Sequence, residues 1–268
     1  MKNRRLQGFT LVEMAIVLVI IGTIVGTIMI AQNIIVTSRL QTVVTDANAY
    51  IAAAVNFKQT YQALPGDFPT AASMWGTDSN GCTTGGGTSG TCNGNGSGLI
   101  SNPILVPASS SVGETFLFWQ HLNLAGMTTQ AVTNAPGSGG SYDSIIGVNV
   151  PVGSIKGSGF SVYGVGTASS DPNLFNGVFY GNALFFGASH AIVSGAIDYS
   201  YTRDGILTPD QAQSIDTKID DGAPATGKIL SFAPGSTATP NCTVLTSSVY
   251  YYNVGTSNLC SLVFVTGF

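Results

Sequence analysis

Hydrophobic residues form one long run near the start of the chain and weaker periodic patterns after it. Between residues 14 and 31 nothing is more polar than threonine, and an apolar run of this length can span a bilayer. Between residues 36 and 61 apolar side chains recur every three or four positions, without Pro or Gly. Together these patterns predict one helix over residues 9–63, about 80 Å long. Its first half needs lipid or other copies around it, and its amphipathic second half should pack on a globular head.

The region after this helix is predicted to contain loops, two short helices and several β-strands. Residues 64–69 break the long helix with Pro and Gly, and residues 76–98 are rich in Gly, Thr, Ser and Asn. Residues 114–125 predict a short and very apolar helix that ends at Gly126. We expect this helix to lie between the long helix and a sheet, with His121 in the core or at its rim.

A second short helix and the strands complete the predicted fold. Thr208, Pro209 and Gln211 form a capping sequence in front of an apolar face that extends to residue 219. Short β-type runs separated by Gly should pair in antiparallel fashion. They cover residues 145–150, 159–165, 178–186, 191–197, 228–232, 249–254 and 261–265. These elements predict an α+β fold, in which the long N-terminal helix packs on an antiparallel β-sheet head with loop insertions.

The start of the apolar run carries a charge, Glu13, and this carboxylate needs a partner. Its burial in lipid costs on the order of 2.5–3.5 kcal/mol at the centre of a helix. A cut between Gly8 and Phe9 would create an α-amino group four residues before Glu13, which is about one helical turn. Either this amino group or that of a neighbouring copy could pair with Glu13, and the second arrangement would make the charge an assembly signal.

The stretch over residues 8–22, with basic residues before it, resembles the class III signal of type IV pilins and type II secretion pseudopilins. The resemblance rests on Gly8, Phe9, Thr10, Leu11, Glu13 and the apolar run. In that family a prepilin peptidase cuts after the Gly and methylates the new N-terminal Phe, and the Glu aids docking into a helical filament. The resemblance therefore implies cleavage between Gly8 and Phe9, N-methylation of Phe9 and an assembly role for Glu13.

The same stretch has two other interpretations, an ordinary secretory signal peptide and an uncleaved signal anchor. The apolar core of a secretory signal rarely contains Glu, and no small-x-small cleavage site clearly follows the run. Both features favour the prepilin interpretation.

The resemblance also implies an organisation of the chain and a set of partners. Residues 1–8 would be a leader, 9–35 a transmembrane and filament-core helix, 36–64 its amphipathic half, and 65–268 a pilin-like head. The partners would be prepilin peptidase, an inner-membrane assembly platform, and further copies or other pilins. The chain would lie in the inner membrane before assembly and in an extracellular or periplasmic filament afterwards, with its head outside the cytoplasm.

Composition fits a protein that works outside the cytoplasm. Only 8% of the 268 residues are charged, against about 25% in typical domains. The net charge is −4, and without the leader six basic side chains face 13 acidic ones, which argues against nucleic-acid binding.

The four cysteines form two pairs that are close in sequence, Cys82 with Cys92 and Cys242 with Cys260. In an exported chain both pairs would form disulfides, and the second would close a last hairpin over residues 249–265. This arrangement resembles the disulfide-bounded C-terminal region of many pilins. Zinc is the competing interpretation, but neither pair has metal-ligand spacing and both histidines lie far from the cysteines in sequence.

Three carboxylates cluster where the second short helix ends: Asp216, Asp220 and Asp221. Hard oxygen ligands at this spacing could hold calcium, and several pseudopilins bind calcium near their C-terminal loop. The interpretation that we prefer is a solvated acidic helix end, partly balanced by Lys218 and Lys228. Residues 93–98 also have oxygen side chains at the spacing of a calcium loop, but without a carboxylate, which favours a series of turns.

Catalytic motifs are missing from the sequence. Residues 187–191 come nearest to a nucleophile elbow, but Ala191 stands where the second Gly belongs. We therefore expect a structural subunit of a type IV pilus or type II secretion pseudopilus, and not an enzyme. The alternative is a monomeric, membrane-anchored extracytoplasmic binding or adhesion domain.

Overall fold

The computed structural model describes residues 10–82, 84–101, 113–135, 144–165, 181–189, 201–232, 241–247, 249–257 and 259–268. In chain order the elements are α1 (Leu11–Tyr61), α2 (Ala71–Trp75), α3 (Glu114–Leu124), β1 (Ser158–Val165), β2 (Gly181–Ala188), α4 (Pro209–Ile219), β3 (Ile229–Leu230), β4 (Thr243–Thr246), β5 (Val249–Tyr252) and β6 (Leu262–Val265). The strand predicted at residues 191–197 lies outside the described residues. The predicted pilin-like α+β fold, with its long N-terminal helix, is confirmed.

Helix α1 is 51 residues long and runs without a break from the apolar segment into the head. Its buried side chains begin at Leu40 and recur at helical spacing; they are Leu40, Val43, Ala47, Tyr50, Ala53, Ala54 and Phe57. The helix ends at Tyr61, because Gln62 adopts a left-handed conformation with φ 57° and its N–H donates to Lys58 O. Among the described residues, the head therefore packs on the second half of α1 alone.

The described strands form a four-stranded antiparallel sheet in the order β1-β2-β6-β3 and a separate β4–β5 hairpin. Antiparallel pairing was predicted correctly, but the predicted closing hairpin of β5 with β6 is wrong. Strand β6 lies between β2 and β3 instead, because Leu262, Val263 and Phe264 are apolar on both faces and suit an interior strand.

The strand predicted at residues 145–150 is also wrong, since this segment forms a tight turn. Gly147 has a φ of 81°, a conformation that favours glycine. The Asn149 Oδ1 atom accepts a hydrogen bond from the Ile145 N–H at 2.6 Å. These two features close the turn, although the apolar residues around them resemble a strand in sequence.

Helix α3 lies between α1 and the sheet, as the sequence predicted. Trp119 of α3 packs edge-on against Tyr50 of α1 with ring centroids 4.9 Å apart, and Tyr50 packs on Phe160 of β1 at 5.2 Å. On the opposite face of the sheet, side chains of the strands form a second buried apolar cluster with Tyr201 and Phe232. Its strand residues are Val165, Ala183, Phe185, Leu230 and Val263. The sheet is therefore buried on both faces.

Candidate functional site

The start of α1 is closed by a capping box that involves Glu13. Thr10 is the N-cap residue, and its Oγ1 accepts a hydrogen bond from the Glu13 backbone N–H at 3.2 Å. In return, Glu13 Oε2 accepts hydrogen bonds from the Thr10 N–H at 2.7 Å and from the Thr10 hydroxyl at 2.8 Å. The two side chains thus satisfy donors that a helix start leaves unpaired. Glu13 therefore has a partner on its own chain.

This pairing was not among the sequence-based predictions, which placed the partner of Glu13 at a new α-amino group. The spacing Thr10-x-x-Glu13 ahead of an apolar run is the usual signal of a capping box and could have revealed it. The predicted cleavage and methylation residues, Gly8 and Phe9, lie outside the described residues, and their roles stay predictions.

The first half of α1 exposes its apolar side chains to the surroundings. Leu11 is 86% exposed and Val19 67%, and an 18-residue window of this helix with mean hydropathy 2.7 is 0% buried. Thr23 and Thr27 do not disturb this surface, because their hydroxyls donate to backbone carbonyls of the same helix at 2.8 Å. A helix of this length and composition can cross a membrane. Its surface needs lipid or other protein around it.

Two buried carboxylates, those of Asp67 and Glu114, hold the Gly-rich loop of residues 94–98. The Ser97 and Gly98 N–H groups donate to the Asp67 carboxylate at 2.9 and 2.8 Å. The Asn95 N–H donates to Glu114 Oε1 at 2.8 Å. Because backbone N–H groups of this loop face carboxylates, it presents donors where a calcium loop would present oxygens. The segment is an irregular loop held by these contacts, with bends only at Ser97 and Gly98, so the predicted series of turns stays a prediction.

His121 is a fully buried core residue that links this region to the first disulfide loop. Its Nδ1 accepts a hydrogen bond from the Gly66 N–H at 2.9 Å, and its Nε2 lies 3.1 Å from Cys92 O. The two contacts require a neutral ring with its proton on Nε2. Burial lowers the pKa of His121 to about 4, so the ring stays neutral at neutral pH.

Both predicted cysteine pairs are disulfide-bonded, Cys82 with Cys92 and Cys242 with Cys260. The first disulfide closes the loop that contacts α3 through Thr91 and Cys92. The second joins the residue before β4 to Cys260, whose backbone pairs with Leu207 just before α4. Disulfides persist in oxidising compartments, which agrees with a head outside the cytoplasm.

Asp216, Asp220 and Asp221 come together at the end of α4, with one oxygen of each within 4.8 Å of the others. Each carboxylate already accepts hydrogen bonds from the protein. The Tyr252 hydroxyl donates to Asp216 at 3.0 Å, and the Thr226 hydroxyl donates to Asp221 at 2.6 Å. Backbone N–H groups at the start of β3 donate to Asp220. These contacts account for the arrangement by themselves. Asp216 is fully buried, so the preferred interpretation of a solvated helix end is wrong for this residue. Calcium binding, the less favoured interpretation, is not tested by these contacts.

Asp216 is the buried member of this cluster, and its charge is disfavoured there. Burial raises the pKa of Asp216 to about 7. Hydrogen bonds from Tyr252 and Gly222 oppose that rise, whereas the neighbouring charges of Asp221 and Asp220 add to it. Near neutral pH the cluster therefore holds a proton part of the time.

Comparison with known proteins identifies the N-terminal segment. No curated protein and no solved structure matches the chain. Residues 3–29 match the family model described as the prokaryotic N-terminal methylation motif. The matched stretch contains the Thr10–Glu13 capping box and most of the exposed apolar half of α1. The chain thus carries at its N-terminus the class III signal of type IV pilins and pseudopilins.

Proposed function

We propose that this chain is a structural subunit of a type IV pilus or of a type II secretion pseudopilus. Prepilin peptidase cuts it after Gly8 and methylates Phe9. Residues 9–35 then serve first as a membrane anchor and later as the filament core. Residues 36–64 connect this core to a head formed by residues 65–268.

The contrast between the two halves of α1 carries this proposal. From Leu40 onwards one face of the helix is buried against the head, whereas Leu11 to Val36 have no cover among the described residues. Apolar surface of this extent is stable in lipid, or packed against the same segment of other copies. A filament of stacked helices provides the second environment, and the membrane provides the first.

The same contrast supports a proposal for where each part of the subunit lies. The apolar half of α1 holds the subunit in the inner membrane, where an assembly platform collects it together with further copies or other pilins. The head lies outside the cytoplasm. Its two disulfides support this location, because disulfides persist in oxidising compartments. After assembly the head is displayed on an extracellular or periplasmic filament.

Glu13 sets the axial position of each new subunit. Its carboxylate lies in the first turn of α1, beside the Thr10 donors. In an apolar filament core the α-amino group of Phe9 from a neighbouring copy is a cation that this carboxylate attracts. The pairing joins two different positions on two copies, as the head-to-tail contact of an open helical filament requires.

Two substitutions at Glu13 separate its charge from its capping role. Glu13→Ala removes both, whereas Glu13→Gln keeps the capping box, because Gln can accept the same hydrogen bonds from Thr10. We expect both variants to enter the membrane normally and to be absent from filaments sheared off the cell surface. The measurement is the amount of the subunit in the membrane and in the sheared fraction.

Wild-type amounts of filament from Glu13→Gln would show that the charge is not needed, and would contradict this account of assembly. A wild-type chain that is processed but never found in the sheared fraction would favour the monomeric anchored domain instead.

A further inference from the structure

A groove lies between α1 and the chain that follows α3. It encloses about 310 Å³, and its walls include Asp46 and Tyr50 from the helix and residues 126–130 from the other side. The Tyr50 hydroxyl accepts a hydrogen bond from Gln130 Nε2 at 3.2 Å. Gln130 is held in turn by two hydrogen bonds to the backbone of Val152, at 3.2 and 2.9 Å. Both walls are therefore fixed by contacts that do not involve Asp46.

Asp46 places a carboxylate in this groove without a partner. The side chain is partly buried, and within the described part of the chain no hydrogen bond or ion pair reaches it. Burial raises the pKa of the Asp46 carboxyl, because the groove disfavours an uncompensated negative charge. A cation that entered the groove would compensate this charge, and a guanidinium suits a carboxylate best because it can donate two parallel hydrogen bonds.

Arg39 is an exposed cation on the same helix, seven residues before Asp46. Seven residues correspond to about 10 Å along the axis, which is too far for the two side chains to pair within one chain. No ion pair of the Arg39 side chain occurs among the described residues either. Among the described residues, therefore, neither the Arg39 guanidinium nor the partly buried Asp46 carboxylate has an ion-pair partner, and the two lie at a fixed spacing on one continuous helix.

The proposed pairing of Glu13 with the Phe9 amino group of a neighbour brings these two side chains to similar heights. It displaces the two helices by four residues, about 6 Å, so that Arg39 of one copy is level with Val43 of the next. Asp46 lies only about 4.5 Å further along that helix. Helical side chains lean over the turn before them, and because both side chains lean in the same direction, the axial difference between them stays close to this value. An arginine side chain is long enough to cover an axial difference of this size.

We propose that in the filament Arg39 of one copy enters the Asp46 groove of the next and pairs with its carboxylate. This inference rests on the proposed function, because only an assembled filament brings the two copies together. The contact joins two different positions and can therefore repeat from each subunit to the next. It would fix the head of each subunit in the same axial register that Glu13 sets at the other end of the helix.

A charge swap in the full-length chain tests this contact. Arg39→Glu and Asp46→Arg each place two like charges together, and we expect each to lower the yield of sheared filaments roughly tenfold or more. The double variant restores opposite charges, and we expect it to regain at least about half of the wild-type yield. As a matched control, Lys58→Glu is combined with Asp46→Arg, since Lys58 is another exposed cation on α1. This mismatched pair should stay as low as Asp46→Arg alone.

Thermal unfolding of each variant in detergent shows whether the head still folds. If Asp46→Arg does not fold, Asp46→Asn keeps the shape of the side chain and takes its place, in a double-mutant cycle with Arg39→Gln. A charge swap that fails to restore filaments, or a mismatched pair that restores them equally well, would overturn the Arg39–Asp46 contact. In the double-mutant cycle of Asp46→Asn with Arg39→Gln, additive losses of filament yield would overturn the Arg39–Asp46 contact. In either case filaments from the wild-type chain would leave the proposed function intact, whereas their absence would overturn both.

Discussion

At the scale of single residues, His121 connects segments that are far apart along the chain. Gly66 and Cys92 lie 55 and 29 residues before it, and each makes a hydrogen bond to one of its ring nitrogens. Neighbouring residues of α3 act in the same way, since Gln120 accepts a hydrogen bond from the Thr91 hydroxyl at 2.6 Å. The polar side chains of a mostly apolar helix therefore hold the first disulfide loop on the core.

Replacement of His121 should destabilise the head. His121→Phe keeps an aromatic ring, but it leaves the Gly66 N–H and the Cys92 carbonyl buried without partners. We expect a loss on the order of 3 kcal/mol in the free energy of unfolding. Urea unfolding of the full-length protein in detergent measures it. Leu124→Ala, at an exposed position of the same helix, is the matched control and should cost under about 1 kcal/mol. Equal losses in both variants would contradict the role given to His121.

Asp216 should make stability depend on pH. Its pKa in the folded chain, about 7, lies above the ordinary value of 3.8, so the folded state keeps a proton that the unfolded chain has lost between those values. The folded state is therefore favoured at the acidic end of this range, and the free energy of unfolding falls as pH rises towards 7.

Asp216→Asn removes this titration and can still hydrogen-bond to Tyr252 and Gly222. We expect the variant to gain stability relative to the wild type as pH rises from about 4 to about 7, and the difference to level off above that. Urea unfolding of both proteins at several pH values tests this, because the difference between them cancels the titration of His121. A difference that stays constant over this range would refute the prediction.

Individual residues could be singled out from the sequence by their chemical type, but their contacts with distant residues could not be predicted. Glu13 and the four cysteines stand out because a charge in an apolar run and paired cysteines in an exported chain have few physical explanations. The contacts of Asp67 with residues 97 and 98 could not be foreseen, because 30 residues or more separate them and no local pattern marks the pairing. The Thr10–Glu13 capping box was recognisable, since its spacing is local.

At the scale of elements, helical periodicity was informative and the strands were less so. Helix α1 was predicted from its pattern of apolar residues, and α4 from its apolar face together with its cap, because these are local signals. The turn at residues 145–150 was mistaken for a strand, because its apolar residues are interrupted by a single Gly. The position of β6 in the sheet depends on pairing with β2 and β3 across long loops, which single-chain patterns do not encode.

The second disulfide should stabilise the C-terminal elements. It joins Cys242, just before the β4–β5 hairpin, to Cys260, two residues before β6, across 18 residues of chain, and both cysteines are fully buried. Replacing Cys242 and Cys260 by Ser should lower the free energy of unfolding by about 3 kcal/mol. The Cys82–Cys92 disulfide closes a loop of only 10 residues, so the same change at these two cysteines should cost less. Thermal unfolding of the oxidised proteins that shows no change for the Cys242 and Cys260 variant would contradict this.

At the scale of the whole molecule, the two parts of the chain differ in how their apolar side chains are covered. The head has a core on both faces of its sheet and two disulfides. The first half of α1 has an apolar surface that no described residue covers. Lipid and other copies of the same segment are the two environments that would cover this surface, and under the proposed function the chain meets them in turn.

The most direct test of this account is the intact mass and N-terminal sequence of the chain in material sheared from the cell surface. The account predicts a chain that begins at N-methylated Phe9, which would show processing and polymerisation in the same sample. A sheared chain that keeps Met1, or one that begins beyond Ala31, would contradict it, because Glu13 would then lack the amino group with which it is proposed to pair.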